Sequence, residues 1–316
     1  MGLVTTEGDI VKQGIRPFPT RELQDVVSQI AQGVQELVQD AGITLQQVMA
    51  VGVCAPGLVD QEHGIVNQAA NFPTWSDAPL CKLLSDALGC PAYLENDASA
   101  AAIGEWWRAS TSQPGGGVKH MALITLGTGV GGGLIVDGKL VAGMGMAGEV
   151  GHTIVDISDT ARPCGCGQKG CLEQYASAPG IVASAKQALS EHPEAKSQLR
   201  PLLESNNLSC DKIFAAALGA TDPTERDELA FSVVNRTCHI LAQSILNLVR
   251  VLDSEIIVIG GGVSDAGAPF ISLIQQHVDR MWWDIKRAHK LRIVQAQLGN
   301  AAGFMGAAKT ALDRAC

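Results

Sequence analysis

Nothing in this chain approaches the ~20 consecutive apolar residues that a membrane-spanning helix requires. The apolar run around residues 256–259 is the size of one strand. Basic residues are outnumbered: 23 Lys and Arg face 32 Asp and Glu, a net charge of -9, which argues against nucleic acid or an anionic membrane as the main partner. The opening MGLVTTEGDIVKQG has neither a basic n-region nor an apolar h-region, so no secretory signal is expected. Internal repeats, heptads and low-complexity segments are absent as well. No G-K-[ST] follows the glycine clusters, which excludes a Walker A loop. The cluster near residue 127 is followed by a strand pattern where a dinucleotide fingerprint would need a helix. The nine cysteines are odd in number and six are scattered, which fits a reduced, cytoplasmic setting better than a disulfide framework.

What is present is a well-buried chain of 316 residues, 46% hydrophobic and 17% charged, long enough for two domains meeting at a cleft. One stretch, GEVGHTIVDISDTARPCGCGQKGCLEQYAS at 148–177, concentrates its chemistry. Cys164, Cys166 and Cys171 form C-x-C-x4-C, with His152 upstream. Three thiolates and one imidazole make a closed tetrahedral zinc site, which pins a loop and activates no water. The alternative is three buried free thiols and a surface histidine. Glu149 and Glu173 flank these residues and are candidates for touching a ligand.

Along the chain, the patterns predict strands at 3–6 and 10–12, then a helix over 21–41 capped by Thr20 and stopped by Gly42. A strand at 48–53 runs into Cys54-Ala55-Pro56-Gly57. A hairpin at 59–66 is followed by a loop at 71–75 and a helix capped near Ser76 or Asp77. A strand at 92–94 delivers Glu95-Asn96-Asp97 to its C-terminal end, where α/β folds place ligand-binding groups. Asp97 is a candidate general base, the alternative being an ordinary Asn or Asp N-cap, from Asn96 or Asp97, for the helix over 98–108. Residues 113–117 read as a Pro/Gly linker. Strands at 121–126 and 130–136 enclose Gly127-Thr128-Gly129, either a phosphate-binding turn or a plain glycine hairpin. Helices are expected over 180–220 and 224–251, the latter with Cys238 and His239 in the core. A strand at 256–259 leads into a second glycine turn at 260–262, and a helix at 270–283, a strand at 291–294 and a helix at 303–314 complete the chain.

Four islands, END at 95–97, LGTGVGGG at 126–133, GEVGH at 148–152 and CGCGQKGCLE at 164–173, together resemble the ROK family (repressors, open reading frames and sugar kinases), most closely its bacterial-type glucokinases. APG at 55–57, NFPTW at 71–75, IGGGVS at 259–264 and GFMGAA at 303–308 extend the likeness over essentially the whole chain. The resemblance implies an α/β fold, the two-lobed ribonuclease-H-like architecture of actin, hexokinase and Hsp70. The N-terminal lobe would take residues 1–112 plus a returning C-terminal helix at about 303–316. The C-terminal lobe with its zinc knuckle would take 113–302.

The resemblance further implies ATP-dependent phosphorylation of a hexose, glucose first, with Asp97 as the base. Gly57, Asn71, Asn96, Asp97, Glu149, His152 and Glu173 would contact the sugar. Thr128 and Gly129 would bind phosphate, and Gly261 and Gly262 would lie on the nucleotide side. His152, Cys164, Cys166 and Cys171 would hold structural Zn²⁺, and Mg²⁺ would arrive with ATP. A homodimer is expected. The alternatives are an N-acetylmannosamine or other hexose kinase, and a non-catalytic sugar-binding member of the family.

Family members open with an apolar strand and a D-[LI]-G-G-T turn that serves the ATP phosphates. No D-x-G-G-T occurs in the first sixty residues, and no helix-turn-helix is recognisable. The expectation is a misassigned start or a fragment of a working kinase, with weak or no kinase activity as written; the alternative is a genuine loss of the loop, which would expose two strand edges in the first lobe.

Overall fold

The computed structural model describes residues 1–69, 71–111, 117–219, 225–283 and 290–316. The chain forms two compact units: Met1–Lys119 with Gly133–Gly148 and Gln297–Cys316, and His120–Gly132 with Glu149–Ala296. Of the linker expected at 113–117, residues 113–116 lie outside the described residues. The division is not a single cut there. The chain passes into the second unit after Lys119, returns for Gly133–Gly148, and returns again at Gln297.

The first unit opens with the antiparallel pair β1 (Gly2–Val4) and β2 (Ile10–Gln13). Helix α1 (Leu23–Asp40) buries Val26, Val27, Ala31 and Val38, the helical spacing the sequence displays. It starts two residues later than the pattern suggests. Glu22 occupies the N-cap position without a side-chain cap, and the Thr20 hydroxyl bonds the Asp25 carboxylate instead.

Strand β3 (Val51–Ala55) is followed by an antiparallel meander of β4 (Leu58–Asp60), β5 (Ile65–Ala69) and β6 (Phe72–Ala78). The loop expected at 71–75 is therefore largely strand. Its proline misled the pattern, because β6 is an edge strand and Pro73 forfeits no ladder bond essential to the sheet. Trp75 is buried from this strand, with its indole N–H on the Arg21 carbonyl at 2.9 Å. Helix α2 (Leu80–Leu88) begins after Pro79 rather than after Ser76 or Asp77, and ends on left-handed Gly89.

Strand β7 (Ala92–Asn96) pairs in parallel with β3, and α3 (Asp97–Thr111) leaves its end directly. Among the described residues β1 pairs only with β2, and β3 only with β7. Between their open edges lies a cavity of about 590 Å³ lined by apolar side chains including Ile30, Val34, Leu37, Val53, Phe304 and Leu312.

The second unit is built on β8 (Met121–Leu126), and β9 (Val130–Val136) is the strand on which the chain crosses back to the first unit. The short β10 (Lys139–Leu140) pairs with the far end of β9. After the cysteine-rich loop come α4 (Glu173–Ala176), α5 (Ala178–Glu191), α6 (Leu199–Glu204) and α7 (Cys210–Leu218). The long α8 (Glu228–Leu252) is capped by the Asp227 side chain, which accepts the Ala230 N–H at 2.9 Å. Cys238 is fully buried in it, but His239 is exposed, because one step along a helix turns a side chain by about 100°.

Strand β11 (Ile256–Gly260), helix α9 (Ala268–Met281) and strand β12 (Arg292–Gln295) complete this unit. β8, β11 and β12 are parallel neighbours, with β11 central and wholly buried. That arrangement explains why β11 reads as continuous apolar sequence rather than as an alternation. Helix α10 (Ala302–Ala315) then rejoins the first unit and packs on α3, β3 and β7. At that contact Gly52 is required, since a β-carbon there would overlap the Ala307 backbone carbonyl.

Candidate active site

In the first unit, the parallel pairing of β3 and β7 brings their C-terminal ends side by side, so Gly57 and Asn96-Asp97 share one rim. Asn96 does two jobs. Its carbonyl oxygen accepts the N–H groups of Ala98 (3.0 Å) and Ser99 (3.2 Å), capping α3, and its amide donates to the Gly57 carbonyl at 3.1 Å. The capping role considered for Asp97 thus belongs to Asn96. Asp97 is the first residue of α3; its carboxylate accepts the Ala98 N–H at 2.9 Å and meets no other side-chain partner among the described residues. Asp97 is solvent-exposed at this rim, yet the protein around it desolvates the carboxyl enough to push its pKa above the ordinary 3.8, and hydrogen bonds from nearby backbone N–H groups oppose the rise. Gly57 has φ +90° and sits against the backbone of Gln68 and Ala69. Asn71 immediately precedes β6 and is exposed, with its backbone carbonyl bonded by Arg21 at 2.8 Å.

Beneath this rim lies the first residue of the END motif, to which no role of its own was assigned. Glu95 is 2% exposed, and its Oε1 accepts the Asn96 N–H at 2.9 Å and the Gln61 side-chain amide. Arg314, near the end of α10, donates to the Gln61 carbonyl at 2.5 Å. Burial raises the Glu95 pKa above its ordinary 4.5.

In the second unit, the parallel pairing of β8 with β11 sets the Gly127-Thr128-Gly129 turn beside the Gly261-Gly262 turn, both at strand C-terminal ends. Gly261 has φ +78°, and a β-carbon there would strike the Leu126 carbonyl, so the two turns touch through bare backbone. The Ser264 hydroxyl and N–H both bond the Gly261 carbonyl, at 2.7 and 2.9 Å. Thr128, Gly261 and Gly262 are solvent-facing.

The cysteine-rich loop folds back on itself through Cys164 N–H to Gln168 O (2.8 Å), Gly170 N–H to Arg162 O (2.9 Å) and Leu172 N–H to Thr153 O (2.9 Å). These bonds gather one ligand atom from each of His152, Cys164, Cys166 and Cys171 within 4.8 Å of one another. The Cys166 and Cys171 sulfurs are 3.6 Å apart, and Cys164 Sγ is 3.7 Å from His152 Nδ1. A tetrahedral zinc with Zn–S of about 2.3 Å and Zn–N of about 2.0 Å spaces its ligands about 3.5–3.8 Å apart, so the four residues fit that ion. The donor chemistry agrees. Burial pushes the Cys171 thiol up to about 12, while the backbone hydrogen bond at Gln168 holds Cys166 below its ordinary value. Such a cluster sheds all its protons only to a cation. His152 uses Nδ1 on this side. Glu149 is exposed and its carbonyl accepts the His152 N–H at 3.1 Å. Glu173, in the first turn of α4 as the sequence suggests, reaches the glycine turn: its Oε2 accepts the Val130 N–H at 3.0 Å.

The loop's outer clamp was also not apparent from the sequence. Arg162 donates to the Gln174 and Gly180 carbonyls (2.9 and 3.0 Å), to Ser184 (3.0 Å) and to Gln187 (2.9 Å). Its guanidinium lies 4.8 Å from the centre of the Tyr175 ring, and the Tyr175 hydroxyl donates to Asp156 at 2.6 Å.

Set against known proteins, the chain matches the ROK family over residues 1–314. The glucokinase of Halalkalibacterium halodurans is 37% identical over 97% of this chain and 89% of that protein. The glucokinase of Thermotoga maritima is 32% identical over 99% and 94% respectively. Among solved structures, a ROK family glucokinase from Streptomyces griseus in complex with glucose and AMPPNP superposes with a TM-score of 0.75 at 30% identity, covering 99% of this chain and 95% of that one. The mixed α/β architecture is thus the actin/hexokinase-like ATPase fold of those kinases, as the sequence motifs imply.

Proposed function

The chain belongs to the ROK family, and from that premise we propose that it transfers the γ-phosphoryl group of ATP to the primary hydroxyl of a hexose, with glucose the preferred acceptor. The observation that carries this reading is Asp97: a carboxylate with a raised pKa, free on one side, at the shared end of β3 and β7. In phosphoryl transfer the protein's work is mainly positioning and charge neutralisation, with one carboxylate taking the hydroxyl proton. Asp97 is the base in this reading. A raised pKa brings a carboxylate closer to working pH and makes it a better acceptor.

Sugar hydroxyls would be bound by the Asn96 amide proton left over from the Gly57 bond, and by Gly57, Asn71, Glu149, His152 and Glu173. A site built from directional acceptors and donors selects among stereoisomers, because a misplaced hydroxyl leaves a polar group unpaired. The bare backbone of Thr128-Gly129 and of Gly261-Gly262 gives phosphates and ribose close access, and Mg²⁺ would come with ATP. His152, Cys164, Cys166 and Cys171 would hold Zn²⁺. With its four ligands all from protein the ion has no open position, so its contribution is to loop shape alone.

A coupled assay of ADP release with glucose, N-acetylmannosamine and mannose, with and without ATP, tests the proposal. The expected order of kcat/KM places glucose first. No phosphorylation of any hexose, with glucose still binding in a calorimeter, would leave a sugar-binding protein without transfer.

A further inference from the structure

The glycine turn at 127–129 has little with which to hold itself. Its one internal bond runs from the Gly127 N–H to the Gly129 carbonyl at 2.9 Å, and Thr128 is exposed. Glycines on both sides of it keep more conformational freedom than other residues unless something outside ties them down. That something is the cysteine-rich segment together with the first residue of α5, at three points. The Ala178 N–H donates to the Gly127 carbonyl at 2.8 Å. Glu173 Oε2 accepts the Val130 N–H at 3.0 Å and lies so near Gly129 that a β-carbon there would be 2.6 Å from it. Gly151 rests on the Val130 carbonyl with no room for any side chain. Two of the three are covalently close to a metal-ligating position: Gly151 precedes His152, and Glu173 follows Cys171 by two. The second oxygen of Glu173 is 4.0 Å from Cys164 Sγ.

We propose that Glu173 and Ala178 are positioning residues for the phosphate turn, so that a metal-filled knuckle fixes Gly127–Val130 and thereby strengthens nucleotide binding. The proposal rests on the reading of this turn as phosphate-binding. Without the ion, four ligating side chains and the loop between them are released, and Gly151 and Glu173 are no longer pressed against the turn. A turn that must be ordered on binding binds more weakly than one already ordered. The coupling is reciprocal: nucleotide should retain the metal.

Ala178→Pro isolates the effect from sugar contacts. It deletes one N–H while suiting the first position of α5, and Ser177 before it already has the extended ψ of 161° that a following proline requires. The full chain, zinc-loaded and chelator-stripped, and the loaded Ala178→Pro variant are compared by amide hydrogen exchange and by titration with Mg²⁺-ATP and with glucose. The expected result is exchange at Val130 roughly tenfold faster in both the stripped protein and the variant, with Ile257 and Val258 of β11 still protected. The variant should keep its metal and its glucose affinity and lose roughly tenfold in ATP affinity. Unchanged Val130 exchange on stripping, or loss of protection at β11 with it, overturns the coupling. Faster Val130 exchange in the variant with unaltered ATP affinity overturns the phosphate assignment of the turn and leaves the positioning contact standing.

Discussion

The side-chain amide of Asn96 donates to the Gly57 carbonyl at 3.1 Å while its carbonyl caps α3 through Ala98 and Ser99. One residue therefore joins the rim of β3 to the start of the helix that carries Asp97. Substitutions separate the two tasks. Asn96→Ser keeps a good capping oxygen and should cost under about 1 kcal/mol of stability, yet lower glucose affinity roughly tenfold. Asn96→Ala should lose the cap as well, about 1 kcal/mol more. Denaturant unfolding alongside glucose titration checks both. Equal glucose binding by wild type and Asn96→Ser would remove Asn96 from the sugar site.

Asp97→Asn should lower kcat by about 10²–10⁴, the range for loss of a general base, with glucose binding largely kept. Stability should hardly change, because the substitution removes a charge that burial disfavours in the folded protein. In the wild type, the acid limb of kcat/KM should have its midpoint above the ordinary 3.8 of an aspartate. A limb at or below 3.8 would exclude Asp97 as the titrating base.

Glu95 predicts a pH dependence of stability. Its folded pKa is raised, so the folded state holds the proton to higher pH than the unfolded chain does. Below the unfolded value both states are protonated and the stability is fully present. As pH climbs past 4.5 the unfolded chain ionises first, and stability falls until the raised folded value is passed. Glu95→Gln should flatten that segment of the curve and, at neutral pH, be as stable as wild type or more so. Glu95→Ala should cost about 1–3 kcal/mol by stranding the Asn96 N–H and Gln61 amide. Urea melts from pH 4 to 7 would show an unaltered slope in Glu95→Gln if this carboxylate did not titrate differently on folding.

Metal analysis should find about one equivalent of zinc per chain. Cys166→Ser should lower that content and the melting temperature together, by on the order of 10 °C for a lost structural metal. Cys166 is the exposed member of the cluster, so the substitution itself creates no cavity. A folded, metal-free wild type with unchanged melting behaviour in Cys166→Ser would refute the metal site.

Gly261→Ala should destabilise by about 2–4 kcal/mol, since it combines a left-handed backbone with overlap on the Leu126 carbonyl. Gly262→Ala, with open space around it, should be tolerated. Thermal melts of the pair give the comparison, and equal melting temperatures would mean the turns do not meet through backbone.

Much of the fold was legible because its elements have strong local signals. β8 and β9 match the expected 121–126 and 130–136 to the residue, bounded as they are by glycine and by charge. The helices at α1, α8 and α10 announce themselves by apolar spacing. Where local signals mislead, tertiary placement decides. Pro73 reads as a loop residue until β6 is seen to be an edge, and His239 reads as core until its helical phase is fixed by what Cys238 buries.

The sequence alone determined the grouping of His152 with Cys164, Cys166 and Cys171, because C-x-C-x4-C with an upstream histidine is a spacing that survives in one dimension. It also determined that Asn96-Asp97 follows a strand and that glycine turns follow two others. Only the tertiary structure decided which of these meet. Parallel pairing of β3 with β7, and of β8 with β11, aligns strand ends that lie about 40 and 135 residues apart in the chain, and no local pattern encodes that register. The same is true of Glu173. Its position in the sequence ties it to the cysteines, but its hydrogen bond to Val130, 43 residues away, exists because the knuckle folds back over the turn that follows β8.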